Sequence, residues 1–126
     1  MKVVVETSAA PKAIGPYSQA VKANGFLFVS GQIPVEPETG HMTAVDAVAQ
    51  TKQVMENLSL ILNAEGLSFA DVVKTTIYLT DLSDFARVND AYGAYFESAP
   101  PARATVQVAA LPRGAKVEIE AIAALR

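Results

Sequence analysis

At 126 residues the chain has the length of one domain, spanning 1-126, and it can remove about two thirds of its unfolded surface from water without staples. It has no cysteine, which excludes disulfides, a thiol nucleophile and thiolate metal sites. A formal charge of -3, with Lys and Arg scattered singly, argues against a nucleic-acid partner.

A hydrophobic fraction of 51% against 18% charged residues leaves much apolar surface for one small domain to hide, and burial of some of it between subunits is expected. The apolar run at Met1 to Glu6 is too short for a signal peptide, and nothing later approaches the roughly 20 apolar residues of a membrane span. The expectation is a soluble, cytoplasmic protein with no membrane partner.

Lys2 to Thr7 is rich in β-branched residues and predicts a first strand. The prolines and glycine of Ala9 to Pro16 predict an ordered loop. Tyr17 to Ala23 and Phe26 to Ser30 flank Asn24-Gly25, a pair that tolerates the positive φ of a type I′ turn, so a hairpin is expected. After the turn at Glu36 to Gly40, Thr43 and Asp46 suggest a capping box, and Val48, Met55, Leu58 and Leu62 recur at helical spacing. The spacing predicts a helix over about Ala44 to Glu65.

Val72 to Thr80 predicts a strand. Asp81 or Ser83 can cap a second helix whose apolar stripe is Phe85, Val88, Tyr92 and Tyr95 or Phe96. Ser98 to Pro101 ends that helix. Pro101 to Val108 and Lys116 to Ala123 alternate with period two around the turn residues Leu111 to Gly114, giving two final strands. The order predicts an α+β fold, with the two helices on one face of a sheet and no repeat or linker.

In the first of these strands Arg103, Thr105 and Gln107 share a face; in the second Glu118 and Glu120 point away from Val117, Ile119 and Ala121. Were the two strands neighbours, a guanidinium, a hydroxyl and a carboxylate could converge. His41, the single histidine, lies in a turn and is expected to be solvated, which removes histidine-rich metal sites. No Walker loop or Gly-x-Gly-x-x-Gly is present, so nucleotide cofactors are not expected.

Arg103 suits a carboxylate ligand through its planar fork, or an internal salt bridge to Glu118 or Glu120. Glu118 and Glu120 are either solvated or paired, or one of them is a general base that orients a water. Tyr17 is a pocket wall or a core aromatic. Ser30-Gly31 is a strand terminus, or a place where the missing side chain of Gly31 admits a ligand.

Six motifs in order resemble the RidA/YjgF family of reactive imine deaminases from Ala10 to Leu125: Ile14-Gly15-Pro16-Tyr17-Ser18-Gln19-Ala20, Val29-Ser30-Gly31-Gln32-Ile33-Pro34, Lys74-Thr75-Thr76, Asp84-Phe85 with Val88-Asn89, Pro101-Ala102-Arg103, and Glu118-Ile119-Glu120-Ala121. The resemblance implies a chorismate-mutase-like α+β fold and a homotrimer with sites in the clefts between subunits. It also implies hydrolysis of 2-iminobutanoate and 2-iminopropanoate, produced by pyridoxal-phosphate-dependent dehydratases, to 2-keto acids and ammonia. No cofactor or metal is then needed.

By the same resemblance Arg103 holds the substrate carboxylate and Glu118 positions or activates water. Tyr17, Ser30, Gly31, Phe85 and Asn89 line the site. Where some family members carry Cys two residues after the arginine this chain has Thr105, which can hydrogen-bond a water, and Pro100 stands where some have an aromatic residue. A keto-acid binding module without turnover is the alternative, with a ribonuclease or translation inhibitor behind it because the chain lacks a basic, aromatic-rich face.

Overall fold

The computed structural model describes residues 1–126. Eight elements follow one another: β1 (Val3–Val5), β2 (Ala20–Ala23), β3 (Phe26–Gln32), α1 (Ala47–Ala64), β4 (Val72–Leu79), α2 (Phe85–Gly93), β5 (Ala102–Gln107) and β6 (Val117–Ala124). The strands form one six-stranded sheet in the order β1-β2-β3-β6-β4-β5. Only β4 and β5 pair in parallel; the other pairs are antiparallel.

The β2–β3 hairpin turns at Asn24 (φ 52°) and Gly25 (φ 84°), both left-handed as a type I′ turn requires. In α1 the side chains of Val54, Met55, Leu58, Ile61 and Leu62 are fully buried against the sheet, each contributing on the order of 2 kcal/mol. Gly66, at φ 70°, ends this helix. Its N–H returns to Asn63 O at 3.0 Å and that of Leu67 to Leu62 O at 3.0 Å, the Schellman pattern.

The start of α1 differs from expectation. Asp46 itself caps the helix, its Oδ1 accepting from Ala49 N at 2.8 Å, while the Thr43 hydroxyl donates to Glu36 Oε2 at 2.7 Å. Thr43 therefore closes the preceding loop, and the helix begins three residues later than the spacing suggested. Likewise Asp81 caps a 3-10 turn over Leu82–Asp84, accepting from Ser83 N, and α2 grows out of that turn without a side-chain cap of its own.

Both helices cover the face carrying Thr75, Ile77, Leu79, Val117, Ile119, Ala121 and Ala123, all buried. The opposite face has no covering element. There Phe26 and Phe28 on β3 keep 39% and 40% of their surface exposed, and Val106 on β5 41%, which is too much apolar area on one sheet face to be incidental.

Three buried amides on or beside the helix face fix the loops at the sheet ends. Gln50 Oε1 accepts from Lys116 N at 2.8 Å, immediately before β6, while its Nε2 donates to Ala44 O. Asn57 Nδ2 donates to Ile33 O and Val35 O at 3.2 and 2.8 Å, just after β3. Gln19 accepts from Thr7 N at 2.7 Å and donates to Thr7 O and Pro11 O, closing the loop that leads to Tyr17.

Asp46→Ala is expected to lower stability by about 1 kcal/mol, with Thr43→Ala leaving the helix start intact. Urea unfolding followed by far-ultraviolet circular dichroism measures both.

Candidate functional site

The final two strands are not neighbours. β4 lies between them, with Arg103 opposite Thr75 in the β4–β5 pair, and Thr75 opposite Ala121 and Tyr78 opposite Glu118 in the β4–β6 pair. Alternation then puts Arg103 and Thr105 on the helix-covered face and Glu118 and Glu120 on the uncovered one. The convergence that neighbouring strands would have allowed does not occur within one chain. The chain holds two separate clusters instead.

The first cluster is built by α2 against the edge strand β5. Arg103 Nη1 donates to Asn89 Oδ1 at 2.6 Å. Its guanidinium carbon lies 5.6 Å from the centroid of the Phe85 ring and 5.3 Å from that of Tyr92. Phe85, Asn89 and Tyr92 are spaced by four and three residues, so one helix face presents all three. The ion pairs of the chain are Lys22–Glu65, Arg87–Asp84 and Arg126–Asp71; Arg103 belongs to none of them. The internal bridge to Glu118 or Glu120 is thus excluded, and the guanidinium is exposed and held by uncharged groups alone.

Two residues along β5 the Thr105 hydroxyl is buried and has no hydrogen-bond partner. An orphan hydroxyl in such a place costs on the order of 1–3 kcal/mol unless a water or ligand meets it.

The second cluster lies on the uncovered face. Here β3 and β6 slip in register between Val29 and Gln32, so Ser30 and Gly31 sit in a bulge. The Glu118 carboxylate occupies the space above Gly31: a Cβ built there would fall 2.2 Å from Glu118 Oε2. Gly31 is therefore not a plain strand terminus, since β3 continues to Gln32 and the absent side chain admits a carboxylate.

Ser30 is tied to the Tyr17 loop by two bonds, N–H to Gln19 O at 2.9 Å and Oγ to Ser18 O at 2.6 Å. Tyr17, 51% exposed, is not a core aromatic; its hydroxyl accepts from Ile14 N at 3.3 Å. An open groove of about 580 Å³ runs past Gly15, Pro16, Tyr17, Phe28 and Ser30.

Burial, and then the like charge of Glu120 two residues along, holds the Glu118 carboxyl above the usual carboxylate range. Tyr78, directly opposite Glu118, has its phenol pushed up by burial and by the neighbouring Glu120 and Glu118 carboxylates. His41 is exposed, as expected, and no group of three or more acidic or histidine side chains is arranged to hold a metal ion. No helix is long and apolar enough to cross a membrane.

Of the residues expected at the site, Arg103, Phe85 and Asn89 meet directly, with Thr105 next on the same strand face. Glu118 and Gly31 meet at the other cluster, with Ser30 and Tyr17 linked to them through the loop. Tyr92 was legible only as a core aromatic of the α2 stripe. The signal for its second contact was its spacing of three from Asn89.

The family model described as Endoribonuclease L-PSP matches residues 7–125. The chain is 50% identical over 123 residues to the 2-iminobutanoate/2-iminopropanoate deaminase of Mus musculus, covering 98% of this chain and 91% of that protein. Among solved structures it is similar to E. coli TdcF with bound serine, at a TM-score of 0.93 and 45% identity over 98% of this chain and 99% of that one. The E. coli YjgF gene product likewise gives a TM-score of 0.93, at 46% identity over 98% of this chain and 99% of the other. Motifs, sheet and relatives agree over nearly the whole length, and the chain belongs to the Endoribonuclease L-PSP family, that is, the RidA/YjgF family.

Proposed function

We propose that this protein is an imine deaminase that hydrolyses small 2-imino acids, 2-iminobutanoate and 2-iminopropanoate among them, to 2-keto acids and ammonia. One observation carries the reading furthest: the Arg103 guanidinium is fixed by Asn89, Phe85 and Tyr92 but has no anionic partner in the chain. A cation oriented by neutral groups keeps its charge for a ligand, and its planar fork matches a carboxylate. The names of the mouse deaminase and of serine-bound TdcF point to the same class of small carboxylate.

With the carboxylate on Arg103, the substrate presents C2 of a protonated imine, already electrophilic. The Glu118 carboxylate takes a proton from a water as that oxygen bonds to C2, and the C=N π pair returns to nitrogen. Glu118 returns that proton to the nitrogen, then takes the hydroxyl proton as the C=O bond forms and the C–N pair leaves with nitrogen, releasing ammonia and the keto acid. A carboxyl raised toward working pH suits both proton steps. The free Thr105 hydroxyl supplies a hydrogen bond to substrate or water beside Arg103. Ser30, Gly31 and Tyr17 shape the wall behind Glu118.

Because Arg103 and Glu118 face opposite sides of one sheet, the complete site needs the Arg103 cluster of one subunit against the Glu118 cluster of another. We propose the homotrimer as that assembly, its subunits burying the bare face of Phe26, Phe28 and Val106. A ribonuclease reading, suggested by the family description, requires a basic track for phosphates; net charge -3 with scattered Lys and Arg does not supply one. The setting is proposed to be the cytoplasm, a reading supported by the absence of cysteine, which fits a reducing compartment.

Keto-acid release from imines generated in situ by an amino-acid oxidase tests the reading. Arg103→Ala is expected to lower kcat/KM about a hundredfold or more with the oligomer intact; unchanged turnover overturns it. Glu118→Gln is expected to keep the affinity for 2-ketobutanoate while kcat falls on the order of a hundredfold or more.

The same variant has a stability signature. The folded carboxyl of Glu118 lies above its unfolded value, so its favourable share of stability is present below the unfolded pKa and is lost as pH rises through the folded one. Glu118→Gln is therefore expected to melt higher than the parent at about pH 8, with the gap closing toward about pH 4.

Sites shared between subunits make a further prediction. Arg103→Ala and Glu118→Gln chains, each inactive, are unfolded together, mixed equally and refolded; about a quarter of the sites then pair an intact Arg103 with an intact Glu118. Activity of that order is expected, and none is expected if each site is built from a single chain.

A further inference from the structure

Arg103 is exposed at a sheet edge, yet a carboxylate clamp works only if the guanidinium plane is held still. Asn89 fixes one nitrogen, and Phe85 is 40% exposed, so neither supplies a rigid floor. Tyr92 does. It is 4% exposed, its ring lies 5.3 Å from the guanidinium carbon, and its hydroxyl is hydrogen-bonded to Thr75 Oγ1 at 2.7 Å. Thr75, 2% exposed, stands directly opposite Arg103 in the parallel β4–β5 register.

The contacts close a ring: Arg103 backbone to Thr75 backbone, Thr75 hydroxyl to Tyr92 hydroxyl, Tyr92 ring to Arg103 guanidinium. No member of it carries negative charge, so it holds the guanidinium without neutralising it.

We propose that Tyr92, anchored by Thr75, is a positioning residue that sets the plane of the Arg103 guanidinium for carboxylate binding. This rests on the assignment of Arg103 to the substrate carboxylate. Neither residue reaches the reacting carbon; they act through Arg103. Their loss is therefore read in affinity and KM, while kcat, which depends on Glu118, holds.

The hydroxyl pair separates a positioning role from a structural one. Tyr92→Phe and Thr75→Val each leave one buried hydroxyl without its partner, so each lowers the melting temperature. The double variant removes both hydroxyls, and most of the melting temperature returns. The anchor does not return, and the ring is free to shift under Arg103.

Titration calorimetry with 2-ketobutanoate on the assembled protein, alongside thermal unfolding and imine turnover, reads this. We expect each single variant to bind the keto acid about three- to fivefold more weakly, with kcat within about twofold of the parent. The double variant is expected to regain stability but not affinity. Tyr92→Leu, which removes the ring, is expected to weaken binding about tenfold or more.

Affinity that recovers together with stability in the double variant overturns the proposal, as does a loss confined to kcat. If Arg103→Ala binds 2-ketobutanoate as well as the parent, the carboxylate assignment fails, and with it the inference that rests on it. If Arg103→Ala binds weakly while the Tyr92 and Thr75 variants bind normally, the positioning role alone is overturned.

Discussion

Because β5 runs parallel to β4, the chain must travel back along the sheet between them, and α2 fills that crossover. The crossover lays α2 beside the strand it leads into, which is how Phe85, Asn89 and Tyr92 come to surround a side chain up to 18 residues further on. The same topology inserts β4 between β5 and β6, and the registers on either side of it set Arg103 and Glu118 on opposite faces. A single topological fact thus creates the arginine platform and deprives it of a carboxylate partner in its own chain.

Electrostatics follows from that separation. An arginine with an acidic neighbour would be a structural ion pair with little charge left to offer. Held by two rings and an amide, Arg103 retains its charge at the expense of some stability. Glu118 shows the converse: burial over Gly31 and a like charge two residues away both oppose its ionisation. Each cluster keeps a group in a condition that folding alone would not choose. Such conflicts between local preference and function mark working sites.

The local rules were legible in the sequence wherever short-range chemistry decides. Asn24-Gly25 specified its turn, and the alternation in Val117 to Ala123 its buried face. The α+β class and the placement of both helices on one face followed from element order. Errors arose where a residue had two local partners to choose from. Thr43 could cap a helix or close a loop, and Glu36, seven residues back, took it; a pattern of spacings does not contain that competition. The adjacency of the last two strands was tempting because a short turn joins them. The crossover, however, makes β4 the neighbour of both, and strand order depends on contacts far apart in sequence. For the site, residue identity was readable and company was not. Gly31 stood out as a glycine, but which group fills the space above it depends on a register slip.

The bare face connects chemistry with assembly. It carries Phe26, Phe28 and Val106 beside Glu118 and Glu120, so any subunit that covers the apolar residues also withdraws the carboxylates from water. Association then strengthens the pressure that already raises Glu118, since desolvation disfavours the charged form. In the proposed homotrimer a second subunit adds the Arg103 cluster that Glu118 lacks in its own chain, so the surface that closes the bare face also completes the site.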